Sequence, residues 1–65
     1  MKELLRLRVR KGTISKRTGH TYLSLEDSSG TSVGEGKYIG TLDLHQLLPE
    51  LVNAKEVIIV VNENE

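Results

Sequence analysis

The sequence predicts a small, mostly β (α+β) domain, an antiparallel sheet of about four strands with one short helix before the last strand. Three observations predict it. Apolar and polar residues alternate in two early runs, an unbroken aliphatic run lies near the C-terminus, and a leucine-rich segment with helical spacing precedes that run. Alternation is typical of a half-buried strand, and helical spacing is typical of a segment that packs one side on a sheet.

Length and composition predict one domain, 1–65, with no linker to divide it. A chain of this size hides only about 60% of the surface that its unfolded form exposes, so its core is thin. The sequence has no Cys, Phe or Trp, so the core is built from Leu, Ile and Val, and no disulfide or Cys-based metal site can form. Because the usual means of stabilising a small scaffold are missing, we expect self-association, with a homodimer as its form.

The N-terminal segment has no pattern of a secretory signal, because arginines interrupt its apolar residues. The longest apolar stretch, Val57 to Val61, is far shorter than the roughly 20 residues of a membrane-spanning helix. The absence of Cys fits a reducing compartment. A cytoplasmic protein without a membrane partner is therefore expected.

The first two strands are predicted to form a hairpin. Aliphatic residues alternate with three arginines in the first strand: Leu5, Leu7 and Val9 with Arg6, Arg8 and Arg10, the arginine ladder. A second alternating run, 21–26, follows a turn whose Gly19 can adopt the left-handed conformation of a short hairpin loop.

The register of this hairpin requires an irregularity. Regular pairing would place Arg10 on the apolar face opposite Leu25, whereas one extra residue in the first strand restores the pattern and pairs Arg8 with Glu26. The sequence therefore predicts either a β-bulge at Gly12 or two separate strands that meet at a bend there.

The second half of the chain begins with a Gly/Ser-rich loop, 28–36, whose role the sequence does not assign, and a third strand, 38–42. Asp43 followed by Gln46 is a capping-box pattern, so a short helix should begin there and end near Pro49, with a second helical piece at 50–53. One apolar stripe of this segment should face the sheet: Leu44, Leu47, Leu48, Leu51 and Val52.

The run Val57 to Val61 is apolar at every position, which predicts a last strand covered on both faces. The leucine stripe would cover one face of this strand, and the rest of a closed barrel or a second subunit would cover the other face. The order of three strands, a short helical turn and a final strand resembles an SH3-like small barrel. That resemblance concerns the fold alone and implies no functional residues.

Enzymatic chemistry is not expected. The two histidines, His20 and His45, have no metal-site spacing, and no nucleophile pattern is present. The glycines around Gly34 lack the Lys-Ser/Thr ending and the following helix of a phosphate-binding loop. We therefore expect no cofactor and no metal.

Charge is distributed unevenly along the chain. Positions 1–17 carry seven bases and one acid, a net charge of +6, and positions 18–65 carry two bases and eight acids, a net charge of −6. The arginine ladder would stand about 7 Å apart on one face of a strand, an arrangement that suits a phosphate backbone. The predicted nucleic-acid-binding residues are Arg6, Arg8, Arg10, Lys11, Lys16, Arg17 and Tyr22. The ladder could equally pair with acids of the same domain, for example Arg8 with Glu26.

Two functions therefore stay open, both non-enzymatic. The first is association with nucleic acid through the basic strand and hairpin. The alternative is a homo-oligomeric interaction or adaptor module, viral or regulatory, that uses the last strand, and it accounts better for the neutral total charge. Its predicted interface residues are Val57, Ile59 and Val61.

Overall fold

The computed structural model describes residues 1–30 and 32–63. In chain order, these residues form the strands β1 (Lys2–Ile14), β2 (Thr21–Glu26) and β3 (Tyr38–Asp43), the 3₁₀ helix η1 (Pro49–Asn53) and the strand β4 (Glu56–Val61). The four strands make one antiparallel sheet in the order β3-β2-β1-β4. The predicted small, mostly β domain is confirmed, and it takes the form of an open sheet rather than an SH3-like barrel.

The long strand β1 holds the sheet together. It pairs with β4 through residues 2–8 and with β2 through residues 8–14, so the two neighbours lie on opposite sides of β1 and overlap only at Arg8. The molecule is flat, with extents of 42 × 33 × 17 Å. Its radius of gyration of 13.1 Å exceeds the value of about 11 Å expected for a compact chain of this length, because the strands are staggered.

The residue pairs of the hairpin are the predicted ones. Arg8 lies opposite Glu26, and Ser15 donates its N–H to the carbonyl of His20 at 3.0 Å. Gly19 has a φ of 74°, in the left-handed region. The irregularity lies between Val9 and Lys11, so the bulge is confirmed and its predicted position at Gly12 is wrong by two residues.

Gly12 is required for a different reason. A Cβ at this position would collide with the backbone of Val52 in η1. The absence of a side chain at Gly12 therefore lets η1 pack directly onto β1.

The core lies on one face of the sheet, beneath η1. Four side chains are buried there, Leu7, Val9, Leu23 and Leu25, and Leu44, Leu51, Ala54 and Val57 pack against them. None of the helices among the described residues has the length and apolar composition needed to cross a membrane.

The helix predicted to begin at Asp43 does not form. The segment after β3 bends at His45 and Gln46 and is held by the fully buried Thr21, whose N–H donates to the carbonyl of Gln46 at 2.9 Å and whose hydroxyl oxygen accepts the N–H of Leu48 at 2.8 Å. These bonds use backbone groups that a helix would need, so the tertiary contact overrides the local pattern. The leucine stripe is consequently split, and Leu47 is exposed.

Within the single chain the last strand is not covered on both faces, so the closed-barrel alternative is wrong, and cover by a second subunit stays a prediction. Val57 is half-buried, but the four residues from Ile58 to Val61 are exposed. The reason is the stagger: η1 covers the region where β1 meets β2, and β4 extends beyond it along the first half of β1.

Candidate functional site

The arginine ladder lies on the face opposite the core, where one carboxylate binds two of its members. Glu26 is fully buried and accepts hydrogen bonds from the Nε atoms of Arg8 and Arg10, each at 2.8 Å. The N–H of Gly34 donates to the same carboxylate, at 2.9 and 3.1 Å from its two oxygens. Charge-assisted bonds of this kind satisfy a buried carboxylate and fix the guanidinium groups in place.

The loop after β2 closes over this group. Arg8 donates to the carbonyl of Ser32 at 3.0 Å, and Arg10 donates to the carbonyl of Gly36 at 2.9 Å. Gly34 has a φ of 95°, which L side chains rarely adopt and which places its N–H over the carboxylate. The described part of the Gly/Ser-rich loop is thus a cover for a buried ion pair.

The pKa of Glu26 is lowered to about 2. The largest cause is the hydrogen bond from Arg10, followed by the N–H of Gly34, and these outweigh the effect of burial, which raises the pKa. The carboxylate therefore stays ionised over the ordinary pH range, and Arg8 and Arg10 stay paired with it.

Arg6 is bound by two further carboxylates on the same face. Its Nη2 lies 2.8 Å from Oε1 of Glu3, and its Nη1 lies 2.5 Å from Oε1 of Glu56. The hydrogen bond with Arg6 lowers the pKa of Glu3, and the same bond raises the pKa of Arg6. Three guanidinium groups thus pair with three carboxylates, one of which lies on β1 itself and the others on β2 and β4.

The other predicted nucleic-acid-binding residues are arranged differently. Lys16 and Arg17 lie in the hairpin turn, Lys11 lies beyond the bulge, and none of the three makes an ion pair with a described residue. Tyr22 alternates with the buried Leu23 and so lies on the ladder face, as predicted. The structure therefore separates the predicted set into a neutralised ladder and a group of cations near the turn.

The predicted interface residues lie on an exposed edge. Ile59 and Val61 are 44% and 39% exposed, and Ile59 pairs with Leu5, which is 47% exposed. The opposite face of β4 carries Ile58 and Val60, also more than 40% exposed. The edge strand thus presents aliphatic side chains on both faces, whereas Val57 belongs mostly to the core.

A cluster that sequence reasoning missed joins the two histidines. His20 and His45 each direct a ring nitrogen at the carboxylate of Asp43: Nδ1 of His20 is 3.2 Å from Oδ1, and Nε2 of His45 is 3.4 Å from Oδ2. The register of β2 and β3, with Tyr22 opposite Asp43, brings them together. Only the Asp-x-His spacing at 43–45 was visible in the sequence, since the distance between His20 and the other two depends on that register.

Burial raises the pKa of Asp43, but hydrogen bonds from the backbone N–H of His45 and from the His20 ring outweigh it and leave the pKa below its usual value. The carboxylate is therefore available as an anionic ligand.

The sequence matches no protein-family model and no curated protein, and the structure matches no solved structure.

Proposed function

We propose that this protein is a non-enzymatic interaction module that self-associates through β4. The supporting observation is the exposed edge strand, in which four consecutive aliphatic residues, 58–61, are between 39% and 44% exposed. Strands with unpaired backbone groups and apolar side chains on both faces readily pair with another strand. Pairing would continue the sheet across two chains.

A second copy of this chain fits the edge. If a two-fold axis passes through Ile59, antiparallel pairing places Val57 opposite Val61 of the second copy, and no like charges oppose each other in the apolar run. The same register places Lys55 opposite Glu63 of the second copy, a favourable charge pair at each end.

The other open edges suit this role less well. The free side of the first half of β1 carries the ion-paired Glu3 and Arg6. The edge strand β3 contains Gly40 and ends at Asp43, two residue types that are depleted in strands.

The substitution Ile59→Lys tests this proposal. The unmodified protein is expected to sediment as a dimer, and the variant as a monomer, because two lysines would meet at the two-fold axis. Ile39→Lys, at a residue of β3 that is 49% exposed, is the matched control and should leave the dimer intact. Sedimentation velocity over a concentration series, with circular dichroism to verify folding, measures the result.

A monomer at every concentration of the unmodified protein would refute self-association. Equal dissociation by Ile39→Lys and Ile59→Lys would refute the choice of edge.

Association with nucleic acid is our second proposal, now centred on the hairpin turn. The observation that favours this location is that Lys11, Lys16 and Arg17 have no carboxylate partner among the described residues, whereas the ladder is neutralised. Tyr22 lies on the adjoining face and offers a ring for base stacking.

Charge reversal at the turn tests this second proposal. Lys16→Glu with Arg17→Glu should weaken binding to a mixed oligonucleotide and reduce the slope of log K against log salt by about 2, because each cation releases about one counterion. Lys37→Glu with Lys55→Glu makes the same charge change away from the turn and should bind like the unmodified protein. Reversal of Arg8 and Arg10 is unsuitable, since it would place two carboxylates beside the buried Glu26 and remove its partners. If the unmodified protein binds neither DNA nor RNA at low salt, this proposal fails.

A further inference from the structure

We infer that His20, Asp43 and His45 form a binding site for a divalent transition-metal ion of the zinc class. The inference does not depend on either proposed function. It rests on three donor groups of suitable chemistry that the fold brings to one point at the end of the sheet.

Each histidine nitrogen already lies near one oxygen of Asp43 at the spacing that a tetrahedral ion requires. Bonds of about 2.0–2.2 Å to nitrogen and oxygen place two ligand atoms about 3.3–3.5 Å apart. The observed distances from Asp43 oxygens are 3.2 Å to Nδ1 of His20 and 3.4 Å to Nε2 of His45. All three ligand atoms lie within 4.8 Å of one another, and the two imidazole centroids are also 4.8 Å apart. Side-chain rotation would bring the two ring nitrogens and one oxygen of Asp43 together around an ion.

The backbone holds the three positions before any ion binds. His20 directly precedes Thr21, which is fully buried and receives the N–H of Leu44 on its carbonyl at 3.0 Å. The segment that carries Asp43 and His45 is therefore fastened to the start of β2. A site built on fastened backbone loses little conformational freedom when a ligand arrives.

His45 has an unusual conformation that serves this geometry. Its φ of 55° lies in the left-handed region, which is uncommon for residues other than glycine. The turn is stabilised by the N–H of His45, which donates to Oδ1 of Asp43 at 2.9 Å, and it directs the ring of His45 back toward the same carboxylate. Strained backbone of this kind is found preferentially at ligand sites.

The ligand set selects the class of ion. Two imidazoles with one carboxylate suit Zn²⁺, Ni²⁺ or Cu²⁺, whereas Mg²⁺ and Ca²⁺ prefer ligands made of oxygen alone. Three protein ligands leave one tetrahedral position for water, as in sites that remain open to solvent. The side chain of His45 is 74% exposed, so an ion can reach the site from solvent.

Titration of the full-length chain with Zn²⁺ tests the site. Calorimetry should give one ion per chain, NMR should show both imidazoles perturbed together, and the melting temperature should rise with Zn²⁺ and not with Mg²⁺. His45→Asn and Asp43→Asn should each reduce Zn²⁺ affinity by more than about tenfold, since even outer-shell partners of a metal contribute about 10–100-fold. Asn tolerates the left-handed conformation, so His45→Asn removes the ligand and keeps the turn.

Asp27→Asn is the matched control, because Asp27 also accepts backbone N–H groups in a turn but lies outside the cluster. It should bind Zn²⁺ like the unmodified protein. The inference is overturned if Zn²⁺ does not bind, if His45→Asn and Asp43→Asn bind as tightly as Asp27→Asn, or if the stoichiometry is one ion per two chains. Failure to bind Zn²⁺ would leave the self-association proposal untouched, because that proposal is tested without metal.

Discussion

At the scale of single residues, Glu26 decides the character of the face opposite the core. A fully buried carboxylate is costly unless it is paired and hydrogen-bonded, and here two guanidinium groups and one backbone N–H provide the partners. The pairing of Arg8 with Glu26 was predicted from the sequence. The hydrogen bond from Arg10 to Glu26 was not predicted, because it depends on the bulge between Val9 and Lys11, where Arg10 is the extra residue.

The low pKa of Glu26 predicts loss of stability in acid. Its folded pKa of about 2 lies below the ordinary value of 4.5, so its contribution is complete above pH 4.5 and is lost as the pH falls toward 2. Glu26→Gln should lower the melting temperature at neutral pH, because two guanidinium groups lose their buried counter-charge. The difference between variant and unmodified protein should shrink as the pH falls from 4.5 toward 2.

Thermal unfolding followed by circular dichroism across this range measures the effect. Glu3, Asp27 and Asp43 also have lowered pKa values, so the acid response of the unmodified protein is composite, and the contribution of Glu26 is the difference between the two curves. Glu50→Gln, at an exposed glutamate of η1, is the control and should follow the unmodified protein. A constant difference at all pH values would contradict the assigned pKa.

At the scale of elements, local patterns predicted the strands better than the segment that follows β3. Alternation depends on neighbouring residues, so β1 and β2 could be recognised from the sequence. The capping-box pattern at Asp43 was equally local, but the buried Thr21 competes for the same backbone groups from a strand 22 positions earlier. A sequence pattern cannot show that competition, because it arises only once β2 and β3 pair.

The close packing of η1 on Gly12 of β1 predicts that alanine is tolerated less well at Gly12 than at Gly40. Gly12→Ala should lower the free energy of unfolding by about 1–3 kcal/mol, because the new Cβ would overlap the backbone of Val52 and push η1 away. Gly40→Ala is the matched control in β3, where a Cβ has no atom within 4 Å. It should be neutral or stabilising by up to about 1 kcal/mol, because alanine reduces the freedom of the unfolded chain.

Chemical denaturation of both variants measures these differences. Equal stability of Gly12→Ala and the unmodified protein would show that η1 does not depend on the close approach at Gly12.

At the scale of the whole molecule, the fold class followed from the sequence but the shape did not. Composition and alternation predicted a small β domain with an aliphatic core, whereas closure of the sheet depends on how far each strand overlaps its neighbours. Here the first half of β1 pairs with β4 and the second half pairs with β2, so the two ends of the sheet stay apart. The same stagger explains why the predicted last strand is exposed, and why the histidine cluster could not be recognised from residue spacing.

The two outer strands of the open sheet differ, and under the proposed self-association this difference would limit the assembly to two chains. When β4 meets β4 of a second copy, the contact is symmetric and the assembly stops at two chains with β3 at each end. If β4 met β3 of the next copy instead, every addition would leave another free β4, and fibres would result. In that proposed dimer, Gly40 and Asp43 of β3 would disfavour pairing with a further strand and so protect the protein from polymerisation.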